Sequence, residues 1–292
     1  MRIRLTCNWC TDEVLYNRFK RVYISELNRD PNISFTLDDQ FDLLVVFNHP
    51  RFYKGPPIDR KNTIGVILEP DWSCEINKFH HILRPICNYI LHHKRHDSSQ
   101  YIYYPGLLPF HMDYDDGENL DYYIDTEFKK TKKCSFIVSY MDPGLSSESI
   151  YHQRVGLANQ ILDSDLDIDI YGNNWDTCGL SDERIKGPLD NKKDGLLDYQ
   201  FSVAIENCVV SDYFTEKVTD CILTDTTPIY YGCPKIDRFF DSVYQLNTLD
   251  NLDQLTDILE TNKSLNQSDS KKLMSTKFNL YTAITNFIKY TK

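Results

Sequence analysis

The run YQFSVAIENCVVSDYFTEKVTDCILTDTTPIYYGCP, residues 199–234, packs a strand, a helix start and a second strand into roughly the length of one βαβ unit. Phe201, Val203 and Ile205 alternate with Ser202, Ala204 and Glu206, the period-two pattern of a strand with one side against a core. That strand ends at Glu206-Asn207. Beyond a short turn, Phe214, Val218, Cys221 and Ile222 share one helical face and Tyr213, Glu216, Lys217 and Asp220 another. The spacing predicts a helix with a buried side and a working side. Pro228 opens a further strand over 229–231, closed by Gly232 and Pro234.

Lys217 is the unusual residue, because a cation in the first turns of a helix opposes the macrodipole unless an anion lies nearby. Backbone N–H groups at a helix start already attract an anion. An ammonium beside them makes a diphosphate seat, with Glu216 free to accept hydrogen bonds from a ribose diol. A solvated Glu-Lys pair on a helix surface has the same local sequence, and position alone does not separate the two.

The combined spacings do. The run Tyr199-x-Phe201-x-x-Ala204-x-Glu206-Asn207, then Asp212-Tyr213-x-Thr215-Glu216-Lys217, then Pro228-Ile229-Tyr230-Tyr231-Gly232, resembles the donor-binding signature of the α-1,3-fucosyltransferase family, inverting enzymes that use GDP-fucose. The resemblance is close over residues 134–236 and continues as a weaker pattern into the N-terminal half. It implies that Tyr199, Asn207 and Tyr213 hold fucose and diphosphate and that Glu216 holds the ribose. Arg154 and Lys217 would take the charge of the departing GDP. The family strand that matches 134–138 ends in Ser-Asn, whose serine helps hold the diphosphate; here Ser139 matches and Tyr140 does not.

Outside this stretch, 292 residues suffice for two domains with separate cores, and a 41% apolar fraction is that of a globular protein. No apolar run has the length of a membrane span. Met1-Arg2-Ile3-Arg4-Leu5 reads as the entry to a strand rather than a signal peptide, so a cytoplasmic protein is expected. The formal charge of −11 argues against a nucleic-acid partner. Nine scattered cysteines fit reduced thiols, and Cys7 and Cys10 form a C-x-x-C without a second pair at zinc spacing.

Arg2 to Thr6 reads as a first strand, followed by a helix with Leu15, Phe19, Val22, Tyr23 and Leu27 on one side. Leu43 to Phe47 and Ile64 to Leu68 are continuous apolar runs, as in parallel strands covered on both faces. Alternating strands and helices give a doubly wound α/β domain with its functional loops at the carboxyl ends of the strands. Two such loops are Asn48-His49-Pro50-Arg51 and Glu69-Pro70-Asp71-Trp72. Glu69, at the end of a buried strand, is the candidate general base, and family members place theirs at the same point. Asn48, His49 and Trp72 are candidates for touching the acceptor.

The mixed run His92-His93-Lys94-Arg95-His96 lacks a carboxylate or cysteine at ligand spacing and reads as a solvated loop. Asp165, Asp167 and Asp169 alternate with Leu166, Ile168 and Ile170, so they read as the polar side of a strand rather than a metal motif. No metal and no cofactor are expected. The polar stretch from Met112 to Lys133 marks a domain boundary. The expected organisation is an acceptor-binding α/β domain over 1–125, a nucleotide-sugar-binding α/β domain over 126–265, and a helix within 266–292 packing back toward the first. By resemblance this is the GT-B arrangement, two facing Rossmann-like domains around a cleft. The expected substrates are a nucleotide sugar and a glycan acceptor. A transferase of the same fold using another nucleotide-deoxysugar, or a non-catalytic sugar-binding relative, fits the same residues.

Overall fold

The computed structural model describes residues 1–107, 112–140 and 150–291, and the chain divides into two compact units. The first comprises Met1–Pro109, Asp116–Asp121 and Leu273–Lys292. Its elements begin with β1 (Arg2–Thr6), α1 (Asp12–Tyr23), β2 (Ser34–Phe35), β3 (Leu43–Phe47) and β4 (Thr63–Val66). They continue with α2 (Asp71–Asn77), α3 (Phe79–Ile86), β5 (Tyr89–His92) and β6 (Tyr101–Tyr103). The strands form one parallel sheet in the order β2-β1-β3-β4-β5-β6.

All five residues of β3 are buried, as a strand covered on both faces requires. Leu44 and Val46 meet Cys74, Phe79, Leu83 and Ile90 in one apolar cluster. The Thr11 hydroxyl caps α1 by accepting from Val14 N–H, and Asp12 and Glu13 at its start and Lys20 and Arg21 at its end follow the macrodipole. Leu27, expected on that helix, lies beyond it and is exposed. Strand β4 is shorter than its apolar run, because the Leu68 N–H is taken by the Asn48 side chain instead of a ladder carbonyl.

The second unit comprises Phe110–Asp115 and Tyr122–Lys272. After α4 (Leu120–Asp125) come β7 (Lys132–Ile137), α5 (Tyr151–Leu162), β8 (Ile168–Tyr171), β9 (Ile185–Gly187) and β10 (Tyr199–Ile205). Then follow α6 (Glu216–Leu223), β11 (Thr227–Tyr231), β12 (Tyr244–Gln245), α7 (Asp253–Thr261) and the start of α8 (Ser268–Thr276), while the last helix, α9 (Leu280–Thr291), falls in the first unit. This sheet is also parallel, ordered β12-β11-β10-β7-β8-β9. Phe136, Val138, Ile168, Ile170, Phe201 and Val203 pack with Leu157 and Ile161 of α5 in its core.

Helix α6 starts later than the apolar spacing suggested. Thr215 is its N-cap, accepting from Lys217 N–H, so Phe214 falls outside the helix and packs on Phe239 and Phe240. Of the three aspartates expected along one strand, Asp169 alone lies in β8, and Asp165 and Asp167 precede it. The C-terminal segment is two helices rather than one. Asn279 interrupts it, its side chain accepting from Thr282 N–H as an N-cap does. Helix α9 belongs to the first unit, where Tyr281 Oη accepts from Asp30 N–H at 2.7 Å and the Phe287 ring packs at a tilt against Tyr89.

Candidate active site

In an open parallel sheet, ligands bind at the carboxyl ends of the strands where the winding reverses. In the second unit the chain runs outward from β7 through β8 and β9, then returns to place β10 on the other side of β7. The reversal therefore lies between the ends of β7 and β10, beside Ser139 and beside Glu206-Asn207. The helices that follow these strands, α5 and α6, bring Arg154 and Lys217 with them.

Glu206 is fully buried and organises the start of α6. Its Oε1 accepts from Thr215 N–H at 2.7 Å and its Oε2 from the Thr215 hydroxyl at 2.7 Å. Tyr230 Oη donates to the same carboxylate, and Lys217 Nζ stands 3.7 Å from Oε2. Burial raises the proton affinity of Glu206, and Lys217 and the Thr215 bonds oppose that rise. Gly232 explains the glycine of the motif, since a Cβ there would sit 2.4 Å from Glu206 Cγ and 2.7 Å from Tyr230 Oη. Lys217 Nζ donates to Thr215 Oγ1 at 3.2 Å and to Glu216 Oε1 at 3.1 Å, so the ammonium is aimed at the helix start. Glu206 was only a letter of the signature in the sequence; the structure makes it the residue that sets Lys217.

Asn207 does the corresponding work for α5. Its carbonyl accepts from Ile150 N–H and its side-chain oxygen accepts from Arg154 Nη1 at 2.9 Å. The Arg154 guanidinium is buried, lies 4.8 Å over the Tyr151 ring, and its Nε has no partner among the described residues. Burial lowers its proton affinity, and Tyr151, Glu206 and Glu216 oppose the change. Arg154, Asn207, Glu216 and Lys217 are thus brought to one place, and Tyr213 is buried in the loop leading into α6. Ser139 lies at the end of β7, where its hydroxyl accepts from Asn173 N–H. The β7 and β8 ends meet there so closely that a Cβ on Gly172 would strike the Val138 carbonyl at 2.2 Å.

Two expectations fail in this unit. Tyr199 opens β10 at the strand end remote from Asn207, its ring is buried, and its hydroxyl is engaged with Asp169 at 2.6 Å and Tyr171 at 2.7 Å. It braces the sheet and does not reach the donor seat. Asp220, placed on the working face of α6, is fully buried instead and accepts from Lys192 Nζ at 2.8 Å.

In the first unit the winding reverses between β1 and β3. Glu69 lies in the turn between β4 and α2, and its carbonyl accepts from the Cys74 thiol. Asn48 is turned inward, with φ of +57° and its side-chain oxygen bonded to Leu68 N–H, so it shapes the loop instead of presenting an amide. His49 Nδ1 and Trp72 Nε1 are buried at the same sheet edge without a partner among the described residues, as are Thr6 Oγ1 and Asn8 Oδ1. The run His92 to His96 is a solvated loop only at Lys94 and Arg95, which are exposed. His92 closes β5, His92 and His93 are buried, and burial holds His92 neutral, with a pKa of about 2. Cys74, His80 and His92 converge closely enough to hold a metal ion.

Among the described residues, no helix is long and apolar enough to cross a membrane. The family model for glycosyltransferase family 10 (fucosyltransferase), C-terminal part, matches residues 128–278, just over half of the chain. The chain is 22% identical over 249 residues to the α-(1,3)-fucosyltransferase FucT of Helicobacter pylori, covering 84% of this chain and 44% of that protein. It is 32% identical over 81 residues to human GDP-fucose protein O-fucosyltransferase 3, covering 26% and 17% of the two chains. It thus spans less than half the length of these curated relatives. Among solved structures, an α1,3-fucosyltransferase with GDP-fucose aligns with a TM-score of 0.51 at 16% identity, over 99% of this chain and 89% of that one. Anabaena Alr3699/HepE in complex with UDP and glucose aligns with a TM-score of 0.53 at 9% identity over 100% of both chains. The two parallel α/β sheets are those of the GT-B fold, and the chain belongs to glycosyltransferase family 10, the fucosyltransferase family.

Proposed function

We propose that the protein transfers fucose from GDP-fucose to a hydroxyl of a glycan acceptor, inverting the anomeric centre and forming an α-1,3 linkage. The observation that carries this reading is the pairing of Arg154 and Lys217 at the β7/β10 reversal, each fixed by an adjacent residue at the end of one strand. Two cations beside two helix starts suit a diphosphate, and Glu216 at the rim suits a ribose diol.

In this mechanism Glu69 takes the proton of the acceptor hydroxyl as its oxygen attacks the anomeric carbon in line. The bond from that carbon to the diphosphate oxygen breaks, and the electron pair leaves with GDP. Arg154 and Lys217 stabilise the charge on the leaving group, so the chemical step needs no divalent ion. The unpaired polar atoms of His49 and Trp72 at the first unit's sheet edge are suited to an acceptor's hydroxyls.

The test is turnover of a panel of nucleotide sugars by purified protein on an acceptor array, with the product linkage and anomeric configuration read by NMR. GDP-fucose should be consumed and a β-linked donor should yield an α-linked product. Exclusive use of another nucleotide-deoxysugar overturns the donor assignment. Binding of GDP-fucose without transfer to any acceptor favours a sugar-binding role.

A further inference from the structure

Three elements of the first unit meet behind the turn that carries Glu69. Helix α2 brings Cys74, α3 brings His80, and the end of β5 brings His92, with one ligand atom of each within 4.8 Å of the others. Cys74 and His92 are buried, and His80 is half-buried. In both imidazoles one nitrogen is already held. His92 Nδ1 lies 2.7 Å from His96 Nε2, and His80 Nδ1 lies 2.8 Å from Tyr101 Oη, which also accepts from Arg84 Nε. Tyr101 Oη can accept from both Nδ1–H of His80 and Arg84, and His96 Nε2 can accept from Nδ1–H of His92. Those tautomers leave the opposite nitrogen of each ring with its lone pair. His92 Nε2 is buried and makes no geometric hydrogen bond among the described residues, while the Glu69 carbonyl that accepts from the Cys74 thiol also faces the His92 ring, so a cation here would take the place of those contacts.

A metal-bound histidine characteristically gives its second N–H to an outer acceptor that fixes its tautomer, and both rings here already have one. We propose that Cys74, His80 and His92 form a binding site for a soft divalent cation of the zinc class, with solvent in the fourth position. A thiolate and two imidazoles select zinc-type ions over magnesium, calcium or manganese, which prefer oxygen ligands. With Zn–S near 2.3 Å and Zn–N near 2.0–2.1 Å, tetrahedral ligand atoms stand roughly 3.3–3.6 Å apart. Closing from 4.8 Å takes shifts of about 1 Å, within reach of side-chain rotation. The cation would pin the α2–α3 corner to β5. Its site is separate from the leaving-group chemistry and does not depend on the role of Glu69.

The test uses the full chain, reduced, stripped with a chelator and titrated with cobalt(II) alone. One equivalent should produce a sulfur-to-cobalt charge-transfer band and the visible absorption of a four-coordinate ion, both lost on adding zinc. Zinc should also raise the melting temperature. Cys74→Ser should abolish the charge-transfer band, and His80→Gln, at a half-buried position that spares the fold, should weaken cobalt binding by about tenfold or more. Cys7→Ser with Cys10→Ser should leave the band in place, which separates this site from the C-x-x-C at Cys7 and Cys10. Absence of a charge-transfer band at stoichiometric cobalt overturns the proposal, as does unchanged cobalt affinity in His80→Gln or a band that survives Cys74→Ser.

Discussion

Replacing Gly232 by alanine tests whether the buried Glu206 sets the donor seat. The new Cβ would lie 2.4 Å from Glu206 Cγ and 2.7 Å from Glu206 Cβ and Tyr230 Oη. Carbon atoms settle at about 3.5–4.0 Å, so Glu206 must retreat by roughly 1 Å. A shift of that size stretches its two 2.7 Å bonds to Thr215 to about 3.7 Å, beyond hydrogen-bond range. Each bond to a charged acceptor is worth about 1.5–3 kcal/mol, whereas overpacking a tight site typically costs about 1–3 kcal/mol. The chain will relax along the cheaper route, giving a destabilisation of about 1–3 kcal/mol. For a unit of this size that is a fall in Tm of roughly 2–12 °C. Because Thr215 and Lys217 move with Glu206, GDP affinity measured by calorimetry should fall at least about fivefold, the equivalent of ~1 kcal/mol. Parent-like Tm together with parent-like GDP affinity would refute the role assigned to Glu206.

The other predictions follow from single residues. Gly156→Ala, in α5 with no atom within 4 Å of the new Cβ, should stabilise the protein by about 0.5–1 kcal/mol in denaturant melts and leave GDP binding unchanged. Lys217→Ala should weaken GDP binding by about 1.5–3 kcal/mol with the fold intact by circular dichroism; equal affinity would make Lys217 only a structural partner of the buried Glu206. Glu69→Gln should lower the transfer rate by ~10²–10⁴-fold with donor affinity nearly intact. A rate within about threefold of the parent would move the search to Asp71, His49 or Glu75. With zinc supplied, adding magnesium or manganese should change the transfer rate by less than about twofold; a requirement for either ion would show that Arg154 and Lys217 do not carry the leaving group alone.

The fold and the donor seat were legible to different depths. Parallel strands could be read from runs such as Leu43 to Phe47, because a strand covered on both faces has no polar positions. Lys217 stands out because its charge opposes the helix macrodipole, but only the combined spacings of the run around it mark it as a donor residue. Tyr199 was misplaced because the resemblance carries the whole run over as one signature, and a signature does not say which end of the strand reaches the ligand; Tyr199 opens β10 and Asn207 follows its other end. Asp220 was misplaced because the helical wheel assumed that its charged residues face water, and Lys192, distant in sequence, supplies a buried partner. The grouping of Cys74, His80 and His92 has no linear spacing to recognise, since each comes from a different element.

Glu206 and Asn207 are neighbours in the chain, so their Cα atoms are about 3.8 Å apart whatever else changes. One fixes the ammonium of α6 and the other the guanidinium of α5. The spacing between the two cations is therefore measured out by a single peptide unit before any donor arrives. Immobilising a long side chain on binding usually costs about 0.5–1.5 kcal/mol, and here two such losses are met during folding, leaving roughly 1–3 kcal/mol of affinity undiminished. The same economy makes the pair brittle to length. A residue inserted between positions 206 and 207 would leave every side chain present and throw the two charges out of step, whereas substitutions elsewhere on either helix disturb one charge at a time.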